Sequence, residues 1–253
     1  MSFSFSILSR GVLVTTEKNI RIYYKKAPVV IFGILFPLFM FISFYIGRNI
    51  NISRFFPGFL AMTLFFTASS VGPLITPWEK QAGTYERLLS YPVKVITVIL
   101  GDVVAGMVFG SLVTTLVLTA GLLMLDIPIL SIFNIVILAV GAILGCLCFA
   151  SLGVLLASPS SKAPSNVMML SSLVRFPLIF ISGIFVPLDE LGGIGLFLSY
   201  FSPLTYLVDI FNACLNGLGM FPLVLDIIAL TFFTFMFLVA ANLLHKRSLA
   251  KGL

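Results

Sequence analysis

Long apolar runs separated by short polar or basic connections dominate the chain. Six of them can supply the roughly 20 helical residues that a bilayer's hydrocarbon core requires: residues 28–46, 58–76, 95–125, 129–157, 167–186 and 221–244. The third and fourth exceed that minimum, which permits tilt or extension beyond the membrane. A seventh run, 194–208, is too short and is interrupted by Pro203, so it is expected to form a re-entrant or interfacial hairpin within residues 188–219. The N-terminal 26 residues mix Phe3, Phe5, Ile7, Leu8, Val12 and Leu13 with basic side chains, the pattern of an amphipathic helix on a membrane surface. The expected fold class is therefore an all-α integral membrane protein. It has six transmembrane helices, an N-terminal amphipathic helix over 1–26 and one transmembrane domain over 27–253.

Composition removes the soluble alternatives. A chain that is 60% hydrophobic and 9% charged, with a mean hydropathy of +1.17, has too little polar surface to cover itself in water. The net charge of +6 does not gather on one soluble face, and no nucleic-acid-binding module is legible. The charges set topology instead, because cytoplasmic loops hold the excess of Lys and Arg. With the N-terminus inside, the inner pieces hold twelve basic residues, from Arg10 through Lys80, Arg87, Lys94 and Lys162 to the tail. The outer pieces hold only Arg48 and Arg54, together with the acidic Asp126, Asp189, Glu190 and Asp209. This predicts a multi-pass protein of the cell membrane with both termini cytoplasmic and the 188–219 hairpin on the outer side. No small-residue cleavage site follows the first apolar run, which is expected to remain as a span.

The most charge-rich stretch between the first and last spans is residues 78–94, WEKQAGTYERLLSYPVK. Pro73 and Pro77 are expected to break the preceding helix, and Pro92 closes the stretch before the next span. It reads as a short amphipathic helix on the membrane surface. Tyr85, Leu88 and Leu89 would anchor one face, while Glu79, Glu86 and Arg87 pair with something soluble.

On Glu79, Gly83, Thr84, Tyr85, Glu86, Arg87, Leu88 and Leu89, followed by Pro92 and Val93, the chain resembles the type 2 permease family of ATP-binding cassette (ABC) exporters. That family includes the daunorubicin-resistance and lipo-oligosaccharide exporter-like permeases. A second part of the family pattern falls on Ser182, Gly183 and Pro187 at the end of the fifth span, then on Pro203, Leu204, Thr205, Tyr206 and Asp209 in the outer hairpin. The resemblance implies that the 78–94 loop is a coupling helix docking into an ABC ATPase subunit, and that the N-terminal helix is an elbow before the first span. It also implies two ATPases under two permeases, the second permease being an identical copy or a related chain. The first and fifth spans would flank the path, and transport would run outward.

No Gly-x-x-x-x-Gly-Lys-Ser/Thr pattern is present, and no soluble stretch is long enough for an ATPase domain. The chain is thus expected to be no enzyme and to carry no cofactor or metal, with ATP and magnesium on the partner subunit. Cys146, Cys148 and Cys214 lie in or beside apolar segments, as packing residues do.

Ionisable residues within spans are costly and mark candidate sites. Asp102 in the third span and Arg175 in the fifth are expected at similar depth. Either they pair or face one polar vestibule, or each separately reaches the interface or a backbone carbonyl. Asp226 reads as interfacial, and His245 as part of the basic anchor with Lys246 and Arg247. The Gly106/Gly110 and Gly141/Gly145 pairs permit close helix approach within the molecule. Phe32, Phe36, Phe176 and Phe180 are candidates for a pathway wall on the first and fifth spans. Asn51-Ile52-Ser53 is a glycosylation sequon.

Apolar, aromatic spans with few charges favour amphipathic small molecules, drug-like or lipid-like, as cargo. Export of polysaccharide or lipid-linked glycan is the alternative within the same class. An ion-gradient-driven secondary transporter is the alternative from another class, with Asp102 as its candidate carboxylate. A membrane enzyme lacks any His cluster, metal-spaced acid pair or nucleophile motif.

Overall fold

The computed structural model of the chain describes residues 2–46, 52–90, 94–125, 131–158, 163–188 and 190–250. These residues are helical wherever they hold regular structure: α1 (Ser2–Ile22), α2 (Ala27–Val30), a π-helical turn (Ile31–Leu35), α3 (Phe36–Tyr45), α4 (Ile52–Ser69), α5 (Gly72–Gln81), α6 (Thr84–Ser90), α7 (Val95–Met124), α8 (Ile132–Leu156), α9 (Pro164–Phe180), α10 (Ile194–Ser199), α11 (Pro203–Asn216) and α12 (Leu223–Ala250). The all-α membrane fold expected from the sequence is the fold observed. Each of the six expected apolar segments holds a helix. Segments Ser53–Gln81, Val95–Met124, Ile132–Leu156 and Leu223–Ser248 are each long and apolar enough to cross a bilayer. The first apolar segment joins α1 in a pair bent by 91°, so α1 runs across the direction of the first span.

Local chemistry explains where the helices begin and end. Proline stands in the first turn of α2, α5, α9 and α11, where its missing N–H has no intrahelical partner to lose; Pro37 of α3 instead directly follows the π turn within a continuous helical stretch. Ser131 caps α8 by accepting from the Asn134 N–H at 3.2 Å. The fifth apolar segment was expected to run to residue 186, but α9 stops at Phe180. Gly183 takes φ +83° there, and Leu188 folds back against it.

The second span departs most from expectation. Neither Pro73 nor Pro77 breaks it. Both lie within α5, and the interruption falls upstream at Ser70–Val71. Pro73 stands in the first turn, where no amide bond is lost, whereas Pro77 lies inside the helix and forgoes the bond to the Pro73 carbonyl without ending α5. Consequently Trp78 to Gln81 prolong α5, and the surface helix is reduced to the seven residues of α6.

Helix α4 is the centre of the bundle, with α7, α8 and α11 packed around it. Its side chains from Phe56 to Ser70 are all buried, as an all-round hydrophobic helix requires. Glycines let the neighbours approach its C-terminal end. A Cβ on Gly106 would lie 2.8 Å from the Ala150 Cβ and 2.9 Å from the Ala68 carbonyl oxygen, and one on Gly153 would lie 2.8 Å from the Ser69 oxygen. Gly110 meets Ala68 and Cys146, Gly141 meets Ile210 and Gly145 meets Leu207. Both Gly-x-x-x-Gly pairs therefore serve packing within the chain.

Substitution at this seam should be costly in proportion to the space removed. Gly106→Leu is expected to destabilise the detergent-solubilised protein by about 3 kcal/mol, read as earlier thermal aggregation. Gly192→Ala, at a position where a Cβ meets nothing within 4 Å, should stay within about 0.5 kcal/mol of wild type.

Candidate functional site

Two polar constellations lie at opposite ends of the bundle, and a third lies between them. The first forms where α1, the end of α5 and the start of α7 meet. Helix α1 sits close on α7 because Gly101 leaves room for Thr15, and Thr16 Oγ1 donates to the Gly101 carbonyl at 3.1 Å. One turn further, Asn19 Nδ2 donates to Asp102 Oδ1 at 2.6 Å. Lys18 Nζ forms an ion pair with Glu79 Oε1, and the Tyr23 hydroxyl donates to the same oxygen at 3.3 Å. Tyr23 stacks on Trp78 with ring centroids 5.6 Å apart, and Lys26 Nζ lies 4.1 Å from the Trp78 ring centroid. Burial and the adjacent Glu79 charge push the Tyr23 hydroxyl well above its ordinary range, so it serves as a donor at any physiological pH.

Glu79 was expected to face a soluble partner. It is buried and paired within the chain, because α5 carries it under the elbow helix. The remaining motif residues divide by face. Gly83, at φ +66°, makes the two-residue turn from α5 to α6, and Thr84 Oγ1 donates back to the Glu79 carbonyl at 3.3 Å. Tyr85 is buried with Lys80 Nζ 5.7 Å from its ring centroid. Its hydroxyl is pushed up to about 12, by burial first and then by the Asp102 and Glu79 charges. Arg87 is exposed and Leu88 half-buried. The side chains of Glu86 and Leu89, with Pro92 and Val93, lie outside the described residues, as do Arg48, Asn51, Asp126, Lys162 and Asp189.

Beside this constellation, His245 is buried and its Nε2 lies 3.2 Å from the Val154 carbonyl oxygen. It is a packing residue linking α12 to α8, not an exposed member of the basic anchor, because the last turns of α12 lie against the end of α8.

At the opposite end, α10 and α11 form a helical pair within 188–219, separated at Tyr200–Ser202. Pro203, Leu204, Thr205 and Tyr206 open α11, which is buried against α4, α8 and α12. Tyr206 donates to the Tyr200 carbonyl at 2.8 Å. Asp209 accepts from the Met220 and Phe221 amides at 2.8 and 2.9 Å, closing the turn into α12. Ser182 Oγ donates to the Ile179 carbonyl at 2.8 Å, while Pro187 precedes the Leu188 that packs on Gly183. Asp226 stands in the first turn of α12, at the end of the sixth apolar segment as expected, and is fully buried beside Asp209.

The third constellation surrounds the interruption of the second span. Arg175 is buried and donates from Nη2 to the Ser69 carbonyl. It does not pair with Asp102: the two belong to different constellations, and each finds its own partner. Phe36 of the first apolar segment and Phe176 of α9 meet at 5.7 Å, and both pack on Phe66 of α4, at 4.7 and 6.4 Å. Phe180 is mostly exposed and pairs with Phe185 at 5.4 Å, apart from that trio. Phe32 is half-buried on the π turn. Lys18, Asn19, Trp78, Ser69 and Phe66 are absent from the sequence-based candidates. Only the spacing of Thr15, Thr16 and Asn19 along one face of α1 offered a signal for the first group.

No curated protein matches the chain. The family model described as ABC-2 type transporter matches residues 10–216, a span that includes most of α1, the α5–α6 motif, Arg175 and the α10–α11 pair. The chain belongs to the ABC-2 type transporter family as a membrane permease subunit.

Proposed function

We infer that the chain is the permease half of an ATP-driven exporter that works with a separate ABC ATPase subunit, which binds ATP and magnesium. The observation that carries this reading is the mounting of α6. This helix follows α5 after only Ala82 and Gly83, its Tyr85 is seated in the membrane domain, and its Arg87 faces outward. Behind it, the Lys18–Glu79 pair and the Asn19–Asp102 bond tie α5 and α7 to the elbow helix. A load applied to α6 would therefore reach three helices together rather than bend a loop.

The basic residues favour one orientation. Lys18, Lys26, Lys80, Arg87, Lys94 and Lys246 belong to the end bearing α6, whereas Arg54 stands at the opposite end. By the excess of positive charge, the α6 end is cytoplasmic and both termini lie there. The path then runs between this chain and a second permease, identical or related, along the first and fifth of six spans. ATP-driven closure of the ATPases biases which side opens, a free-energy linkage between nucleotide state and path geometry. The aromatic trio of Phe36, Phe66 and Phe176 favours amphipathic small molecules over a glycan. An ion-gradient carrier built on Asp102 is less well supported, since that carboxylate is engaged by Asn19 at the elbow.

Two outcomes test this. In detergent, the candidate ATPase should co-purify with wild type, while Glu86→Lys and Leu88→Asp should each reduce recovery about tenfold or more without altering the permease's size-exclusion profile. Failure of the wild type to retain any ATPase would refute the reading. Lys18→Glu should lower thermal stability by about 3 kcal/mol, the scale for breaking a largely buried pair, and weaken permease-dependent stimulation of ATP hydrolysis. The exchange Lys18→Glu with Glu79→Lys should recover most of both, whereas unrecovered stimulation in a stably folded double variant would remove the pair from the coupling route.

A further inference from the structure

We propose that Arg175 and Ser171 form an anion-binding point inside the bundle, and that its ligand is an acidic amphiphile whose carboxylate or phosphate meets Arg175 while its apolar body lies on the Phe36–Phe66–Phe176 wall. This deepens the permease reading by naming the chemical class of the cargo, and it rests on that reading for its purpose.

The charge balance comes first. Arg175 is 5% exposed, and among the described residues no carboxylate lies within ion-pair distance of it. Among the described residues its one hydrogen bond goes from Nη2 to the Ser69 carbonyl, and its Nε has no partner. Ser171, one turn earlier on the same face of α9, is also buried with an unpartnered hydroxyl. The carbonyl end of α4 supplies about half a negative charge at most, so a guanidinium held there remains net positive in an apolar surround. Such a group calls for an anion, and guanidinium matches carboxylate or phosphate in a fork of two donors.

The backbone around this point is irregular in two chain segments at once. The second span is interrupted beside Ser69, and the first carries a π-helical turn at Ile31–Leu35. The two meet directly: a Cβ on Gly33 would lie 3.1 Å from Ser70 Oγ. Irregular backbone at membrane depth is tolerated where protein buries it or a cavity is lined by it, and π turns concentrate at functional sites. Phe176 follows Arg175 in sequence and belongs to the aromatic trio. Cationic donor and apolar wall are thus adjacent, as an acid with a hydrocarbon body requires.

The full-length chain, in phosphatidylcholine nanodiscs without ATPase, is titrated with dansyl-labelled undecanoic acid and with its methyl ester. Wild type should bind the acid about tenfold more tightly than the ester. Arg175→Gln should bring the two within about twofold, and Arg175→Lys should keep part of the preference. Ser171→Asp leaves Arg175 and its bond to Ser69 in place but supplies a carboxylate from the chain. It should abolish the preference as well, and it decides the matter if R175Q does not fold. Displacement by phosphatidylglycerol identifies a membrane lipid as a competent source of the anion, and its failure to displace identifies a single-chain acid; both lie within the proposal. Equal affinity of wild type for acid and ester, or a preference that survives in the folded variants, overturns it. Inorganic phosphate displacing the acid as well as phosphatidylglycerol does would overturn the amphiphilic occupant. Because no ATPase takes part, failure here is distinct from failure of co-purification.

Discussion

The interruption of the second span at Ser70–Val71 is the constraint around which the bundle is arranged. A helix end within an apolar domain leaves carbonyl groups without partners, and each such group buried from water costs on the order of 1–3 kcal/mol. Here the Ser69 carbonyl receives Arg175, while the hydroxyls of Ser69 and Ser70 turn back to the Phe65 and Thr67 carbonyls. Glycine at 106 and 153 lets α7 and α8 come down onto the same segment, and Gly72 meets Gly153 backbone to backbone. Four helices thus take their spacing from one break. Removing it would leave the guanidinium and the small-residue seam without a purpose.

The two ends of the bundle solve different problems with their buried acids. Asp209 is consumed by two backbone amides and fixes the turn from α11 to α12, so the α10–α11 pair is held to the core by the chain's own geometry. Glu79 and Asp102 instead accept from side chains of the elbow helix. That helix is a separate segment whose docking depends on these bonds. The lysine is about a quarter exposed, so its charge is not stripped of water, and the pair avoids the full desolvation penalty of a buried bridge. Rigidity at one end and a polar, exchangeable contact at the other suit a domain that receives a mechanical input on one side only.

Much of this was legible because spans announce themselves. Each of the six apolar segments holds a helix, and two shorter helices, α10 and α11, lie in the stretch where a short apolar run met Pro203. Proline misled in the second span: Pro73 occupies the first turn of α5, Pro77 is accommodated inside it, and nothing local to Ser70 and Val71 announced a break. The burial of His245, like that of Asp226, was not legible, because sequence position gives depth along a helix but not the face on which a neighbour lies. Asp102 and Arg175 are both buried, and their partners, Asn19 and Ser69, are 83 and 106 residues away along the chain. No local pattern records such pairings.

Helix α9 is where these features combine. It buries one stripe, Val167, Ser171, Arg175 and Ile179, while Met169, Leu173 and Phe180 stay exposed on the other side. Among the described elements it packs chiefly on α5 and α8. It is therefore less embedded than α4, and its neighbour α5 is continuous with the turn into α6. Displacement of α6 along its axis would bear on α5, and α5 on α9, with Ser69 and Arg175 at the far end of that chain of contacts. Linkage of this kind requires an element with two arrangements that both sites bias. A one-faced helix whose charged residue grips a helix end by a single hydrogen bond meets the physical requirement better than any fully buried neighbour.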